Sequence, residues 1–565
     1  MAVRRGYARA AAAGIAAVVL GAGVGELAAA FGASASSPFA AIGGTVIDAA
    51  PPWAKDAVIA LFGTGDKAAL LTGIAIVLLA VAAVAGLLQA RWPPTGRIVC
   101  LLLGAAGVIA AVHRPDATSL AWAPSAIAGI CAALAIGPLV RLAAPQHPAS
   151  QHPAAPQSAA PSPPQAGTQQ PGGIRMGEPL PPRPPAAFDA SPSDGPRTRG
   201  GSAPARSTPS VTRRDFFAWT AAAALVGVAA AAVGTAMQSG SRAVTAIRKA
   251  VHLPKAVDTV PVPASASFDV PGITPAITSN ADFYRIDTAL VVPQVDPDTW
   301  SLRIHGLVDH ELTLTWPQLL ALPLSESATT LSCVSNEVGG DLISTAIWLG
   351  HPIRELLARV GVHPDADMVL SRSVDGFTAS TPLEALTDPH REAILAVGMN
   401  GQPLPAEHGF PVRMVVPGLY GYVSATKWIT ELEVTRFDRA SAYWTERGWS
   451  ERGPVKLQSR IDVPRRGEGL SPGETVIAGV AWQQHVGVSK VEVQVDGGEW
   501  RQATLATAIS DDTWVQWSIP WTAERGSHAI RCRATNAHGE TQTSTDAWPA
   551  PDGATGWQQL NVQVG

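Results

Sequence analysis

The chain has 565 residues, of which only 15% are charged, and its 41 basic and 45 acidic side chains leave a formal net charge of -4. So low a charged share points to segments that never meet water, and the near balance of sign excludes the basic footprint of a nucleic-acid binder. Four cysteines in this length exclude a disulfide framework.

In chain order, residues 1–143 read as a membrane domain of about four helices, over 10–30, 68–88, 98–112 and 120–142, and a fifth apolar run covers 216–237. Each approaches the ~20 apolar residues that cross a bilayer, the third being short. Arg4, Arg5 and Arg9 precede the first run, Arg91 and Arg97 separate the second from the third, Arg141 ends the fourth, and Arg213 and Arg214 precede the fifth. If the chain starts inside, all of these lie on the cytoplasmic side, as the positive-inside rule requires. The expectation is a multi-pass protein of the plasma membrane, partnered by the lipid bilayer, with everything after Met237 extracytoplasmic.

Residues 144–211 form a Pro-rich linker, disordered and polyproline-biased, with 17 of the 48 prolines between Ala144 and Ser210. Residues 212–240 hold Thr212-Arg213-Arg214-Asp215-Phe216-Phe217 and the fifth span. A twin arginine followed at once by an apolar run reads as an export signal, or simply as a positive-inside anchor.

From about Ser267 the composition becomes globular, and 13 of the 17 tryptophans lie after Met237. Residues 267–458 mix short β-branched runs with one helical pattern, in which Ile353, Leu356, Leu357 and Val360 share a face. This is the signature of an α+β domain. Residues 459–565 read as strands at regular spacing, with alternation over 476–482 and 491–495, a hairpin at Asp496-Gly497-Gly498, and further strands at 514–517 and 529–534. Such a series fits an immunoglobulin-like β-sandwich, with Cys532 as a small buried hydrophobe.

Two stretches could carry chemistry. In Leu331-Ser332-Cys333-Val334-Ser335-Asn336-Glu337-Val338-Gly339-Gly340 a β-prone run delivers Cys333 to a polar loop. Three readings stay open there: a packed thiol, a nucleophile served by His351, His390 or His408, and a thiolate ligand to a soft metal. In the second stretch His408 and Arg413 precede a short strand and a glycine-rich loop bearing Ser424, Thr426 and Lys427. Freed amides, hydroxyls and two cations make a cradle for an anionic group such as phosphate; the plain alternative is a hairpin with solvated charges.

The order of these motifs from Asn280 onward, with Phe283-Tyr284, Trp348-Leu349-Gly350, Asp375-Gly376-Phe377, the 408–428 block and Ala478-Gly479-Val480-Ala481-Trp482, resembles the sulfite oxidase superfamily. The resemblance implies an α+β molybdopterin-binding domain over 267–458, an immunoglobulin-like dimerisation domain over 459–565, and a molybdenum–molybdopterin cofactor. It implies Cys333 as the metal ligand, Asn280, Phe283 and Tyr284 over the pterin, His408 and Arg413 at its phosphate and pterin ends, and Ser424, Thr426 and Lys427 beside it. The family's sulfite-binding arginines are replaced by Glu337 and Val338, and Trp449 stands where a tyrosine is placed. A carboxylate there would repel sulfite. The expected reaction is therefore oxygen-atom or two-electron transfer on a small or protein-bound S- or N-oxide, with an unidentified electron-transfer partner and a homodimer. Sulfite oxidation and a non-catalytic cell-surface binding module are the alternatives.

Overall fold

A computed structural model describes residues 2–31, 36–49, 66–114, 119–143, 213–238, 241–465 and 469–565, together with 51, 117 and 467. The linker expected over 144–211 lies outside the described residues. Alanine and leucine are the strongest helix formers, and in hydrocarbon a helix satisfies every backbone polar group within itself. Among the described residues five helices are long and apolar enough to span: Gly6–Ala29, Ala69–Arg91, Thr95–Val112, Ala123–Ala143 and Arg214–Thr235. They belong to α1 (Ala2–Ala29), α3 (Asp66–Arg91), α4 (Thr95–Val112), α5 (Ala123–Ala143) and α6 (Arg213–Gln238).

Between the first two spans lies α2 (Pro38–Ala49), apolar but too short to cross, which the sequence reading left out. The Glu26 carboxylate near the end of α1 accepts the Phe39 amide at 3.1 Å, so an acid sits where α2 exposes its unpaired N–H groups. Helix α1 packs against α3, α5 and α6. Several close approaches are glycine on glycine: Gly14 meets Gly86, Gly23 meets Gly227, and a Cβ at Gly104 would lie 2.8 Å from the Gly129 Cα. Small residues let bilayer helices touch along their backbones, which is where their van der Waals attraction comes from.

Helix α7 (Ser241–Ala250) leads into the globular part. One sheet there runs β2–β1–β10–β5–β6, from β1 (Ser301–Gly306), β2 (Leu312–Thr315), β5 (Met368–Ser373), β6 (Thr378–Pro382) and β10 (Ile429–Thr435). Among the described strands of this sheet, only β1 and β10 pair in parallel. A second sheet runs β3–β4–β7–β8, from β3 (Ser325–Ser332), β4 (Ile343–Pro352), β7 (Ile394–Met399) and β8 (Gln402–Pro403), with β9 (Arg413–Val415) also on β7. The expected helix is α8 (Ile353–Val360), and its four apolar positions are all buried in the core between the sheets.

The C-terminal region is a β-sandwich. One sheet orders β11 (Gln458–Val463), β13 (Gly473–Trp482), β17 (Val515–Ala523) and β16 (Thr504–Leu505). The other orders β12 (Gly469–Leu470), β19 (Gln559–Val564), β18 (Gly526–Asn536), β14 (Val488–Val495) and β15 (Arg501–Gln502). The hairpin expected at Asp496-Gly497-Gly498 forms, with positive φ at Asp496 (53°) and Gly497 (71°), and Cys532 is buried between the sheets.

Val480, Trp482 and Trp514 join the core of the preceding region, so the two regions share apolar contact. Around it, the Thr330 amide donates to the Asp512 carbonyl (2.9 Å), and Trp514 Nε1 donates to the Ala276 carbonyl (2.8 Å). His485 closes the same seam, 3.4 Å from Asp512 and 3.3 Å from Asp388, with Arg391 also facing it. The hydrogen bond to Asp512 is the largest influence on His485 and holds its pKa above the ordinary value. A raised histidine stabilises fully below its unfolded value of about 6.5 and loses that contribution as pH climbs through the folded value. His485→Asn, which tolerates the positive φ there, is therefore expected to lose more stability at pH 6 than at pH 8.5. Because the His485 side chain keeps 23% of its surface in water, screening should hold the difference to about 1 kcal/mol or less; denaturant midpoints at the two pH values measure it.

Candidate functional site

Strand β3 is buried along its second half and hands Cys333 to a loop that returns as β4. The loop is closed by its own groups: Cys333 N donates to Leu342 O (2.9 Å), and Asn336 Oδ1 accepts the Leu342 amide (2.9 Å). From the sandwich, Arg460 on β11 donates to the Gly340 carbonyl at 2.8 Å and also holds Thr274 at 2.8 Å and Asp462 at 2.7 Å. The thiol receives the Ser335 and Val334 amides and the Ser335 hydroxyl, yet burial outweighs them and raises its pKa. Alone it stays protonated. A cation at sulfur would reverse that balance.

Cys333 lines a cavity of about 300 Å³ with Phe283, Tyr284, His408, Arg413 and Lys427, six of the nine residues expected at the site. Phe283 stacks on Tyr284 (centroids 5.5 Å) and presents edges to Trp348 (5.5 Å) and His408 (5.3 Å). Burial, helped by Lys427 and Arg413, pushes His408 down to about 3, so the imidazole is neutral and serves as a hydrogen-bond partner, not a cation. Arg413 reaches the His408 carbonyl (3.1 Å) and lies over the Trp348 ring (4.9 Å), and burial lowers it to about 10. Lys427 is lowered to about 8 by burial, partly offset by Asp287 at 2.7 Å.

The other three expected residues stand behind this surface. Asn280 accepts Asn400 Nδ2 (2.8 Å), donates to the Met399 carbonyl (3.3 Å), and offers its own backbone to His408. Ser424 donates to the Leu419 and Tyr420 carbonyls (both 3.0 Å), and Thr426 pairs with Ser371 (2.7 Å). Their hydroxyls are spent inside the fold, so of Ser424, Thr426 and Lys427 it is Lys427 that lines the cavity.

Trp449 lines the cavity, as do Asp287, Ser335 and Trp444, which sequence reasoning passed over. Asp287 had a signal: it lies three residues beyond Tyr284 in the same segment. Glu337 corrects an expectation. It is exposed and outside the cavity wall, so its carboxylate is not aimed at anything bound there. What survives of that argument is only that positions 337 and 338 hold no arginine.

The donor set fits the group that the resemblance implies. Among the described residues no three His, Cys, Asp or Glu side chains cluster to hold a metal by themselves. A metal here would thus take Cys333 from the protein and its remaining ligands from an organic cofactor. Arg413 and Lys427 are both held below their usual values by desolvation, which Asp287 offsets only in part at Lys427; an anionic group beside them supplies further compensation. The stacked Phe283 and Tyr284 give a planar ring a flat face.

Residues 289–444 match the oxidoreductase molybdopterin binding domain. The chain is 31% identical over 339 residues to mitochondrial sulfite oxidase of Rattus norvegicus, covering 51% of this chain and 62% of that one, so it spans less than two thirds of that relative. It is 32% identical over 158 residues to the uncharacterized oxidoreductase YuiH of Bacillus subtilis, covering 28% of this chain and 76% of that protein. Among solved structures, the sulfane dehydrogenase SoxCD from Paracoccus pantotrophus aligns over 52% of this chain and 82% of that one, at 23% identity and a TM-score of 0.46.

Proposed function

Because the chain belongs to the sulfite oxidase superfamily of molybdopterin-binding oxidoreductases, we propose that it works at the membrane as a reductase of neutral S- or N-oxides, small or protein-bound. Its cofactor is molybdenum held by molybdopterin, and membership of an enzyme family sets aside the binding-module alternative. When bound, that group supplies two-electron oxygen-atom chemistry. The balance is one S=O or N–O bond cleaved, two electrons and two protons taken up, and one water released, the electrons coming from an unidentified partner.

In this reading Cys333 is the protein's ligand to molybdenum, and the Val334 and Ser335 amides steady its sulfur. Arg413 and Lys427 hold the anionic end of the cofactor, neutral His408 hydrogen-bonds beside them, and Phe283 and Tyr284 cover its ring. Asn280, Ser424 and Thr426 act from behind, by fixing the His408 turn and the 419–427 loop. The observation that carries the choice of substrate is the cavity's second wall. Tyr422, Trp449 and Trp444 follow one another at centroid distances of 6.0 and 6.3 Å, with Phe377 nearby. Arg413 and Lys427 are grouped with His408, and no lysine or arginine joins the aromatic side among the described lining residues. An aromatic wall suits a neutral oxide better than a small dianion, whose desolvation would go uncompensated.

The full-length, metal-loaded protein should reduce dimethyl sulfoxide or methionine sulfoxide with a reduced viologen at a kcat/KM at least about tenfold, or roughly 1.4 kcal/mol, above that for sulfite oxidation with ferricyanide. The reverse ranking would overturn this substrate class in favour of sulfite. The same reading places the globular half outside the cytoplasm of a plasma-membrane protein, exported through Arg213-Arg214. It divides the chain at 143, 211, 240, 267 and 458, and makes the immunoglobulin-like sandwich the surface of a homodimer. Support for these comes from the arginine distribution, the proline-rich composition of 144–211 and the strand spacing after 459.

A further inference from the structure

We infer that the molecule reduced at this site comes from the bilayer: it is an amphiphile with an oxide head and a hydrocarbon tail, entering sideways past Ile47 and Leu70. The head group rests on the function proposed above; the route does not. The wall of the Cys333 cavity is not made by the globular part alone. Ile47, near the end of α2, and Leu70, in the first two turns of α3, both line it. The segment that carries Ile286 and Thr288 into the cavity continues to Leu290, which seats on the membrane domain: a Cβ at Gly43 would come within 2.5 Å of the Leu290 Cδ1. The pocket and the end of the helix bundle are thus one surface.

A path from lipid to that surface can be traced along α3. Leu70, Gly73 and Val77 are spaced i, i+3, i+7 and share a face of the helix. Val77 is 61% exposed and its neighbour Ile76 63%. Among the described residues nothing lies within 4 Å of where a Gly73 side chain would begin. In a spanning helix such exposed apolar side chains face hydrocarbon. An apolar strip therefore leads from the bilayer, past a glycine, to Leu70 and the cavity that Leu70 lines. A tail lying along it stays out of water throughout binding, while its head enters the cavity that Cys333 lines.

The test uses the full-length, metal-loaded protein in lipid nanodiscs with a reduced viologen and a series of alkyl methyl sulfoxides from methyl to dodecyl. Against aqueous concentration, kcat/KM should rise by up to about fourfold per methylene kept from water, and by at least about tenfold from methyl to octyl. Bilayer partitioning alone would also give a rise, so the slope is measured again in Leu70→Gln and in Ile47→Gln; it should flatten in both. A diazirine-bearing dodecyl methyl sulfoxide should label peptides containing Ile47 or Leu70, and excess unlabelled compound should suppress the labelling. A flat series, or a slope unchanged in both variants, with dimethyl sulfoxide still reduced, overturns the route and leaves the proposed function standing. Competable labelling at Ile47 or Leu70 without turnover of any sulfoxide supports the route and overturns the head group.

Discussion

Cys333→Ser yields a folded, pterin-containing protein without turnover. The fold survives because the loop does not depend on the thiol: Asn336 closes it through the Leu342 amide, and Arg460 holds Gly340 from the sandwich. Pterin is retained because, in the proposed reading, Arg413 and Lys427, not the sulfur, carry its charge complement. Turnover fails because a serine hydroxyl is neither as soft nor as readily deprotonated as a thiol, and the Val334 and Ser335 amides that favour a thiolate cannot make an alkoxide at neutral pH. The expected fall in kcat is about three orders of magnitude or more, on the order of 4 kcal/mol. Pterin fluorescence after denaturation, circular dichroism and turnover measured on one preparation separate the three quantities. Turnover near that of the unaltered protein would remove Cys333 from the metal.

Much of this architecture was legible because it rests on local periodicity. The spans follow from runs of apolar residues, α8 from Ile353, Leu356, Leu357 and Val360 on one face, and the 496–498 turn from residues that accept positive φ. Helix α2 was not legible. Its 12 residues are too few for a span and too apolar for a surface helix, and only tertiary contact, with Glu26 at its start, makes sense of it. At the site, Cys333 and the 408–427 block were visible as residue types in unusual company. The direction each side chain takes was not. Glu337 points outward, and Ser424 and Thr426 turn to carbonyls and a hydroxyl within the fold. Asp287 reaches Lys427 across 140 positions. Such choices depend on packing between segments far apart in the chain, which no local pattern encodes.

Arg413→Met should move the empty and the loaded protein in opposite directions. In the empty protein Arg413 is a buried cation whose charged form burial disfavours. An apolar side chain of similar reach over Trp348 removes that burden, and buried charges replaced by hydrophobes are often neutral or stabilising. Protein made in a host that lacks the cofactor should therefore unfold at no lower denaturant concentration than the unaltered chain. In the loaded protein the same change removes charge-assisted hydrogen bonds to an anion, each worth about 1.5–3 kcal/mol, so cofactor affinity should drop roughly 10- to 100-fold per bond lost. Lys427 supplies a pH signature. Its folded value of about 8 lies below the unfolded value of about 10.4. Between these pH values the unfolded chain binds more protons, so the stability of the empty protein should rise with pH. An anion beside Lys427 raises the folded value and abolishes that rise. Stability against pH from 7.5 to 10, with and without cofactor, therefore reports where the negative charge sits. If the slopes are identical and Arg413→Met keeps its pterin, the anionic end of the cofactor lies elsewhere.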